Sequence, residues 1–391
     1  MIVLTSTLNP NYSSGVVTYY KMLQADLKRA GYAVRLVTHD NTPNLARHIL
    51  GGFMTALRLA GWLGEMLHSQ IDYAAKLYFA LRQVPTGDVE LVHAQDPIAG
   101  AVARLAYGKN VPIILTCHFQ ENPVAEMQAI KPLSPAGEAR LVRWNRWLFS
   151  KVDQFVFVSQ YAYRKSAHLL PSVHHYTIIH DTVSALPVVP ASVTVKELRP
   201  LRITTVGFIE ERKNQIHLIR IAHQLKKLTD RPIEIWLIGD GPKRVELQRL
   251  AQTLGVGSMV QFLGRQRESW RLLTESDLYV HMAHNENCPH AIIEAMAANV
   301  LAMAIPVGGA SELLPNPNTH LGQSPEVDAA AILSVLEGNQ RAQLLKEQRA
   351  FFQAQLNPDA MLIKLLAVYA RCKVRSAQQP EPYINTELAY S

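Results

Sequence analysis

Cysteine is scarce in this 391-residue chain, with only Cys117, Cys288 and Cys372. Three scattered thiols cannot build a disulfide framework, and their spacing fits no zinc site. A reducing compartment is the expectation. Long apolar runs are missing too. The most apolar stretch, residues 51–64 with Phe53, Met54 and Trp62, is interrupted by Arg58. It falls short of the roughly 20 apolar residues that a membrane span needs. Ile2-Val3-Leu4-Thr5 reads as a first β-strand, without the basic leader and apolar region of an export signal. These absences predict a cytoplasmic protein. No recognised nucleic-acid module appears, and a net charge of +7 is too mild to argue for one. Most of the basic excess falls in the first 190 residues. It could favour peripheral contact with an anionic membrane surface, or phosphorylated ligands.

What is present is alternation. Short β-branched runs at residues 2–5, 34–38, 91–94, 112–116, 154–158 and 176–180 are separated by helical patterns. A second series follows at 201–206, 233–238, 260–263, 278–280 and 301–305. Strand–helix alternation implies parallel sheets covered by helices, and such sheets bind ligands at the carboxyl ends of their strands. Residues 185–200, with Pro187, Pro190 and Pro200, read as the linker between two domains. The predicted division is 1–188, 189–356 and a C-terminal segment 357–391, in which residues 361–369 are amphipathic and 376–391 polar and frayed. Residues 44–85 form a long helical region that covers the sheet or meets lipid. Residues 140–151 interleave Arg140, Arg143 and Arg146 with Trp144 and Trp147. That pattern suits an interfacial helix or a packed helix with a solvated basic edge.

The stretch that carries chemistry is Glu286-Asn287-Cys288-Pro289-His290-Ala291-Ile292-Ile293-Glu294-Ala295-Met296-Ala297. Pro289 fits the first turn of a helix, and Asn287 can cap it. Glu286 then falls in the preceding loop and Glu294 in the second turn. Both carboxylates lie at one helix N-terminus, beside free N–H groups and the positive end of the dipole. That end attracts phosphate, while the carboxylates accept sugar hydroxyls. An anion pocket next to hydroxyl acceptors suits a nucleotide-sugar.

This stretch resembles the glutamate-x7-glutamate motif of retaining glycosyltransferases of family four. The resemblance implies the GT-B fold: two Rossmann-like parallel-sheet domains facing across a cleft, with the last helix crossing back to the first domain. It implies that Glu286 faces the donor sugar and Glu294 the ribose. Further matches follow in order. Gly207 and Lys213 fit a Gly-Arg-x4-Lys motif that holds the donor diphosphate, though Phe208 replaces the arginine and Arg212 stands beside the lysine. Gly239-Asp240-Gly241-Pro242 matches a turn, and Arg265, after Phe262-Leu263-Gly264, is placed near the base. Gly308-Gly309 with Glu312 matches a Gly-Gly-x-x-Glu loop, while Asn299 and Leu301 replace a usual glycine and proline. In the first half, Gly15 stands in a Ser-Gly pair where the family has Gly-Gly. His118 ends a Thr-x-His run, and Asp181 departs from an Asn-Gly pattern and takes no role.

The resemblance implies transfer of a hexose, glucose or a relative, from a UDP-sugar to a saccharide or lipid-linked acceptor in polysaccharide or glycoconjugate biosynthesis. His118, Lys213 and Glu286 are the expected catalytic residues. Gly15, Arg212, Arg265, Pro289, His290, Ala291 and Glu294 are the expected donor contacts. The chain has no Asp-x-Asp motif, so cations and helix N–H groups would neutralise the diphosphate without a metal or other cofactor. Phe208 keeps open a nucleotide-sugar-binding protein without transfer activity. An epimerase or phosphorylase on the same scaffold is the other alternative.

Overall fold

The structure, a computed structural model, describes residues 1–12, 14–59, 65–183 and 199–377, with all their side chains except those of 52–59, 65–69 and 376–377. The chain forms two compact units. One comprises Met1–His180 together with the chain from Met361 on; the other is Asp181–Ala360.

The first unit holds a six-stranded parallel sheet: β1 (Ile2–Ser6), β2 (Val34–Thr38), β3 (Leu91–Ala94), β4 (Ile113–Cys117), β5 (Gln154–Phe157) and β6 (Tyr176–Ile178). Its order is β2-β1-β3-β4-β5-β6. The second holds β7 (Leu201–Val206), β8 (Ile233–Ile238), β9 (Val260–Gly264), β10 (Leu278–His281) and β11 (Ala302–Ala304), in the order β11-β10-β7-β8-β9. Every ladder is parallel. All residues of β1, β3, β4, β5 and β10 are buried, which is why these strands read as continuous apolar runs rather than as alternation. Their ends fall within one or two residues of expectation.

Local chemistry starts the helices. Ser14, Asp96, Asn122, Ser134, Ser159 and Ser324 each cap a helix by accepting from a backbone N–H in its first turn. Pro97, Pro123, Pro135 and Pro325 follow at the first or second helical position, where the missing N–H costs nothing.

The unit boundaries differ from the expected 188/189 and 356/357. Asp181, Thr182 and Val183 belong to the second unit: Asp181 pairs with His290, Thr182 Oγ1 donates to the Leu356 carbonyl, and Val183 joins the core around Ile292. Helix Pro358–Ala377 puts Met361, Leu362, Leu365, Val368 and Tyr369 into one core with Ile2, Leu4, Tyr20 and Leu23 of the first unit. The expected linker lies almost wholly outside the described residues, as do the side chains of the apolar run 51–64. The expected frayed tail 376–391 lies outside them from residue 378 on, while Ser376 and Ala377 are the last residues of a helix.

Two buried polar groups set stability. Asp277, just ahead of β10, accepts from Arg199 Nη1 and Nη2 at 2.7 and 3.1 Å and from the Arg202 amide at 2.9 Å. Asp277→Ala would strand these groups, so a loss of about 3–5 kcal/mol is expected, read from urea unfolding.

His93, in the middle of the first sheet, lies 2.6 Å from Thr116 Oγ1 and 2.7 Å from Tyr369 Oη. Burial, with the His118 charge second, pushes its pKa down to about 3. An unfolded histidine titrates near about 6.5. As pH falls between these values the unfolded chain gains a proton that the folded chain refuses, so stability falls with pH. His93→Gln is expected to flatten that acid limb in urea titrations run across it.

Candidate functional site

Both sheets change direction at one point. In the second, β7 has β10 on one side and β8 on the other, so connections diverge there and leave a crevice at the strands' carboxyl ends. Two loops fill that position, one after β7 and one after β10.

The β7 loop begins at Gly207 and runs into a single turn, Glu211–Lys213. The Gly207 amide donates to the Ile238 carbonyl, and the Ile209 amide to Asp240. A Cβ on Gly239, at φ +142°, would collide with the Gly207 carbonyl; here glycine is a structural requirement. Asn214 closes the turn in the left-handed region (φ 51°), a conformation asparagine tolerates. Helix Gln215–Leu228 follows.

The turn projects two cations onto one acceptor. Lys213 Nζ and Arg212 Nη1 both bond Glu286 Oε1, the arginine at 2.9 Å. Arg212 also donates to Glu210 and to the Asn285 carbonyl. Glu286 sits in the β10 loop with a side chain only 6% exposed. Burial alone would raise its carboxyl pKa; Lys213, then His281 and Arg212, outweigh this and hold it below the ordinary glutamate value. The Gly309 amide donates to the Glu286 carbonyl at 3.0 Å, so the Gly308-Gly309 loop fixes the backbone that carries this glutamate. Phe208, where the resemblance expects an arginine, is exposed.

Helix His290–Ala297 starts three residues after Asn287. The expected cap is corrected here. Pro289, with an extended ψ of 104°, holds the cap position, so it is not in the first turn, and its own side chain makes no capping bond. Asn287 is buried in the loop ahead of it. The first amides of the helix, His290 and Ala291, have no partner within the helix itself. Glu294 lies in the second turn, 3.4 Å from Ser269 Oγ. Burial raises its pKa against the opposing pull of His290.

Two further residues belong to the site. Asp181 Oδ2 lies 3.0 Å from His290 Nε2. Burial disfavours the imidazolium, yet Asp181 first, then Glu294 and Glu286, raise its pKa. The departure at Asp181 thus has a partner in the second unit. The other is His281, at the carboxyl end of β10, with Nε2 3.8 Å from Glu286 Oε1. A histidine ending a wholly apolar strand, five residues before the first glutamate, was the available signal.

Of the expected residues, Arg212, Lys213, Glu286, Pro289, His290, Ala291 and Glu294 come together around these two loops. Arg265 is exposed just past β9, and no described hydrogen bond or ion pair joins it to that group. Asn299 adopts φ 58° and so supplies the left-handed turn for which the family uses glycine. Among the described residues, no cluster of three or more His, Cys, Asp or Glu side chains could hold a metal ion.

His118 and Gly15 lie in the first unit, at the equivalent edge of its sheet. Asp96 bridges β1 and β3 there, accepting from the Thr7 amide and Ser6 Oγ at 2.7 and 3.0 Å. His118 follows β4, with Nε2 3.1 Å from Gln95 Oε1 and its ring edge-on to Tyr19. Gly15 is the exposed first residue of helix Gly15–Arg29. No described helix is long and apolar enough to cross a membrane.

The fold as a whole is similar to that of HepE from Anabaena, solved with UDP and glucose. The TM-score is 0.66 at 16% identity, over 95% of this chain and all of that one. Two parallel-sheet units of this kind define a GT-B glycosyltransferase fold. Family models match on both sides of the linker: Glycosyltransferase Family 4 over residues 13–184, and Glycosyl transferases group 1 over 192–350. The chain belongs to the family-four glycosyltransferases.

Curated relatives match over part of their length. The phosphatidylinositol N-acetylglucosaminyltransferase GPI3 subunit of Saccharomyces cerevisiae is 29% identical over 32% of this chain and 28% of its own. A GDP-mannose-dependent alpha-mannosyltransferase of Mycolicibacterium smegmatis is 26% identical over 58% of each chain. The match thus spans less than two thirds of either relative.

Proposed function

We propose that the protein transfers a hexose from a nucleoside diphosphate to a saccharide or lipid-linked saccharide acceptor in glycoconjugate assembly, with retention at the anomeric carbon. UDP is the favoured nucleotide, with glucose or a related sugar. The observation that carries this reading is the convergence of Lys213 and Arg212 on Glu286, at the switch point of the second sheet, beside the start of the helix bearing Glu294.

The bond from the sugar's anomeric carbon to the diphosphate oxygen breaks, and a bond to the acceptor oxygen forms on the same face. The acceptor's proton goes to the departing phosphate. Lys213, Arg212 and the amides of His290 and Ala291 stabilise the charge that develops on the diphosphate, a task that needs preorganised donors and, on this proposal, no metal. Glu286 orients the sugar and Glu294 accepts from the ribose hydroxyls. For His118, Gly15 and Arg265 the ligand contacts rest on the family resemblance alone.

HepE, solved with UDP and glucose, supports the UDP choice, and the GDP-mannose-dependent relative is the reason to test GDP-sugars beside it. The test is a thermal-shift panel of UDP- and GDP-sugars, since a ligand that binds the folded state raises its melting point. Chromatography of the products formed with acceptor follows. No shift with any nucleotide-sugar, or equal turnover by wild type and Glu286→Ala, would remove the assignment.

The exposed Phe208 keeps binding without transfer as a second reading. A nucleotide-sugar that raises the melting point yet yields no product with any acceptor would favour it. The same chromatogram shows an epimerised sugar or a sugar phosphate if the chemistry is of another kind.

Cytoplasmic residence and peripheral contact with an anionic membrane belong to the same proposal. Its support is the exposed, stacked pair Trp144 and Trp147, with Lys151 over the Trp147 ring. Vesicles containing anionic lipid should retain the wild type and release Trp144→Ala/Trp147→Ala; equal retention would remove this part.

A further inference from the structure

His281 is almost wholly buried, and its Nε2 has no hydrogen-bond partner. Buried donors without partners are rare in folded proteins and call for a reason. Tyr279 fixes which nitrogen carries the proton. The Tyr279 hydroxyl is buried and lies 2.9 Å from His281 Nδ1, its one described hydrogen-bond partner, so its hydrogen is directed to Nδ1. A neutral imidazole with Nδ1 accepting carries its proton on Nε2. Burial first, then Lys213 and Arg212, keep the ring neutral, its pKa pushed down to about 4 despite the Glu286 charge. The Nε2–H group therefore stands 3.8 Å from Glu286 Oε1, too far for a bond and less than about 1 Å from one.

Glu286 Oε1 is also the atom that Lys213 and Arg212 share. A bound diphosphate, with more charge than one carboxylate, would compete for both cations. Without another donor, Glu286 would be left buried and unpaired, which is costly, or would follow the cations away from the sugar.

We propose that His281 is a positioning residue for Glu286: its Nε2–H takes the carboxylate as the donor diphosphate draws Lys213 and Arg212 away, and so holds the glutamate against the sugar. A neutral donor suits the task because it brings no third cation to compete for the diphosphate. This inference rests on the donor-site reading above.

The experiment compares wild type, His281→Leu and His281→Asn. Nucleotide-sugar affinity is measured by calorimetry, turnover by product formation with the donor and acceptor found in the panel, and folding by thermal melts. His281→Leu is expected to bind the donor within about threefold of wild type, while kcat falls by up to about 10²-fold, the loss that an ångström of misplacement can bring. His281→Asn, which keeps an N–H donor, should recover part of that loss. Unchanged kcat in His281→Leu overturns the proposal. So does a parallel loss of affinity and turnover in both variants, which marks a merely structural histidine. If wild type binds no nucleotide-sugar, the donor-site reading fails instead, and that outcome is visible before any variant is made.

Discussion

Lys213→Ala is expected to lower turnover of the nucleotide-sugar by about 10²–10³-fold, or roughly 3–4 kcal/mol of transition-state stabilisation, the scale seen when one preorganised donor is removed. The size follows from how the lysine is held. Its stem passes over Gly207, with Cε 3.7 Å from where a Cβ would stand, and its side chain is only 18% exposed. A cation with restricted motion and little water around it acts at a lower effective dielectric than a surface lysine. Arg212 remains in Lys213→Ala, so the loss should be less than total. Phe208→Arg, placed on the alanine background, should restore part of it if the position can reach the diphosphate. Turnover within about threefold of wild type would show that Lys213 meets no departing charge. Thermal melts in the same samples separate that effect from the loss of Glu286's partner.

Glu286→Gln should split binding from chemistry. The amide keeps the shape of the carboxylate and removes its charge, so Lys213 and Arg212 lose the anion that now occupies them. UDP should bind as tightly as in wild type or several-fold tighter, because no internal carboxylate competes for the cations. Turnover should nonetheless fall by about 10²-fold or more, since orienting the sugar is what the carboxylate does in the proposed mechanism. Calorimetry with UDP and product formation read the two effects separately. If affinity and turnover drop together, Glu286 serves the architecture of the loop rather than the sugar.

The strands were readable because burial on both faces leaves few residue types to choose from: Ile2–Ser6 and Ile113–Cys117 could be little else. The helix starts were readable where a Ser, Asp or Asn precedes a proline. The start of His290–Ala297 was not, because Asn287 has the right chemistry two residues too early for the cap position that Pro289 holds. Arg212 illustrates another kind of limit. Its neighbour Lys213 had a motif to place it, whereas the guanidinium's direction depends on a turn closed by Asn214 in the left-handed region. His281 and Asp181 were visible as residues but their partners were not, for a third reason. Each matters through a partner five or more residues away, Glu286 for one and His290 for the other, and pairings of that kind come from strand order and loop path rather than from residue type.

Helix Pro358–Ala377 contributes Met361, Leu365 and Tyr369 to a core whose members outside that helix all come from the first 179 residues, Ile2, Leu4, Tyr20 and Leu23 among them. A ribosome must therefore finish the entire second unit before the opening strand acquires its last apolar cover. The intervening Asp181–Ala360 unit has its own core and can mature meanwhile. The opening unit waits half-assembled, with Leu4 and Leu23 short of neighbours, in the condition in which nascent chains stick to one another. Shortening the gene from its 3′ end should accordingly damage the beginning of the protein before its middle.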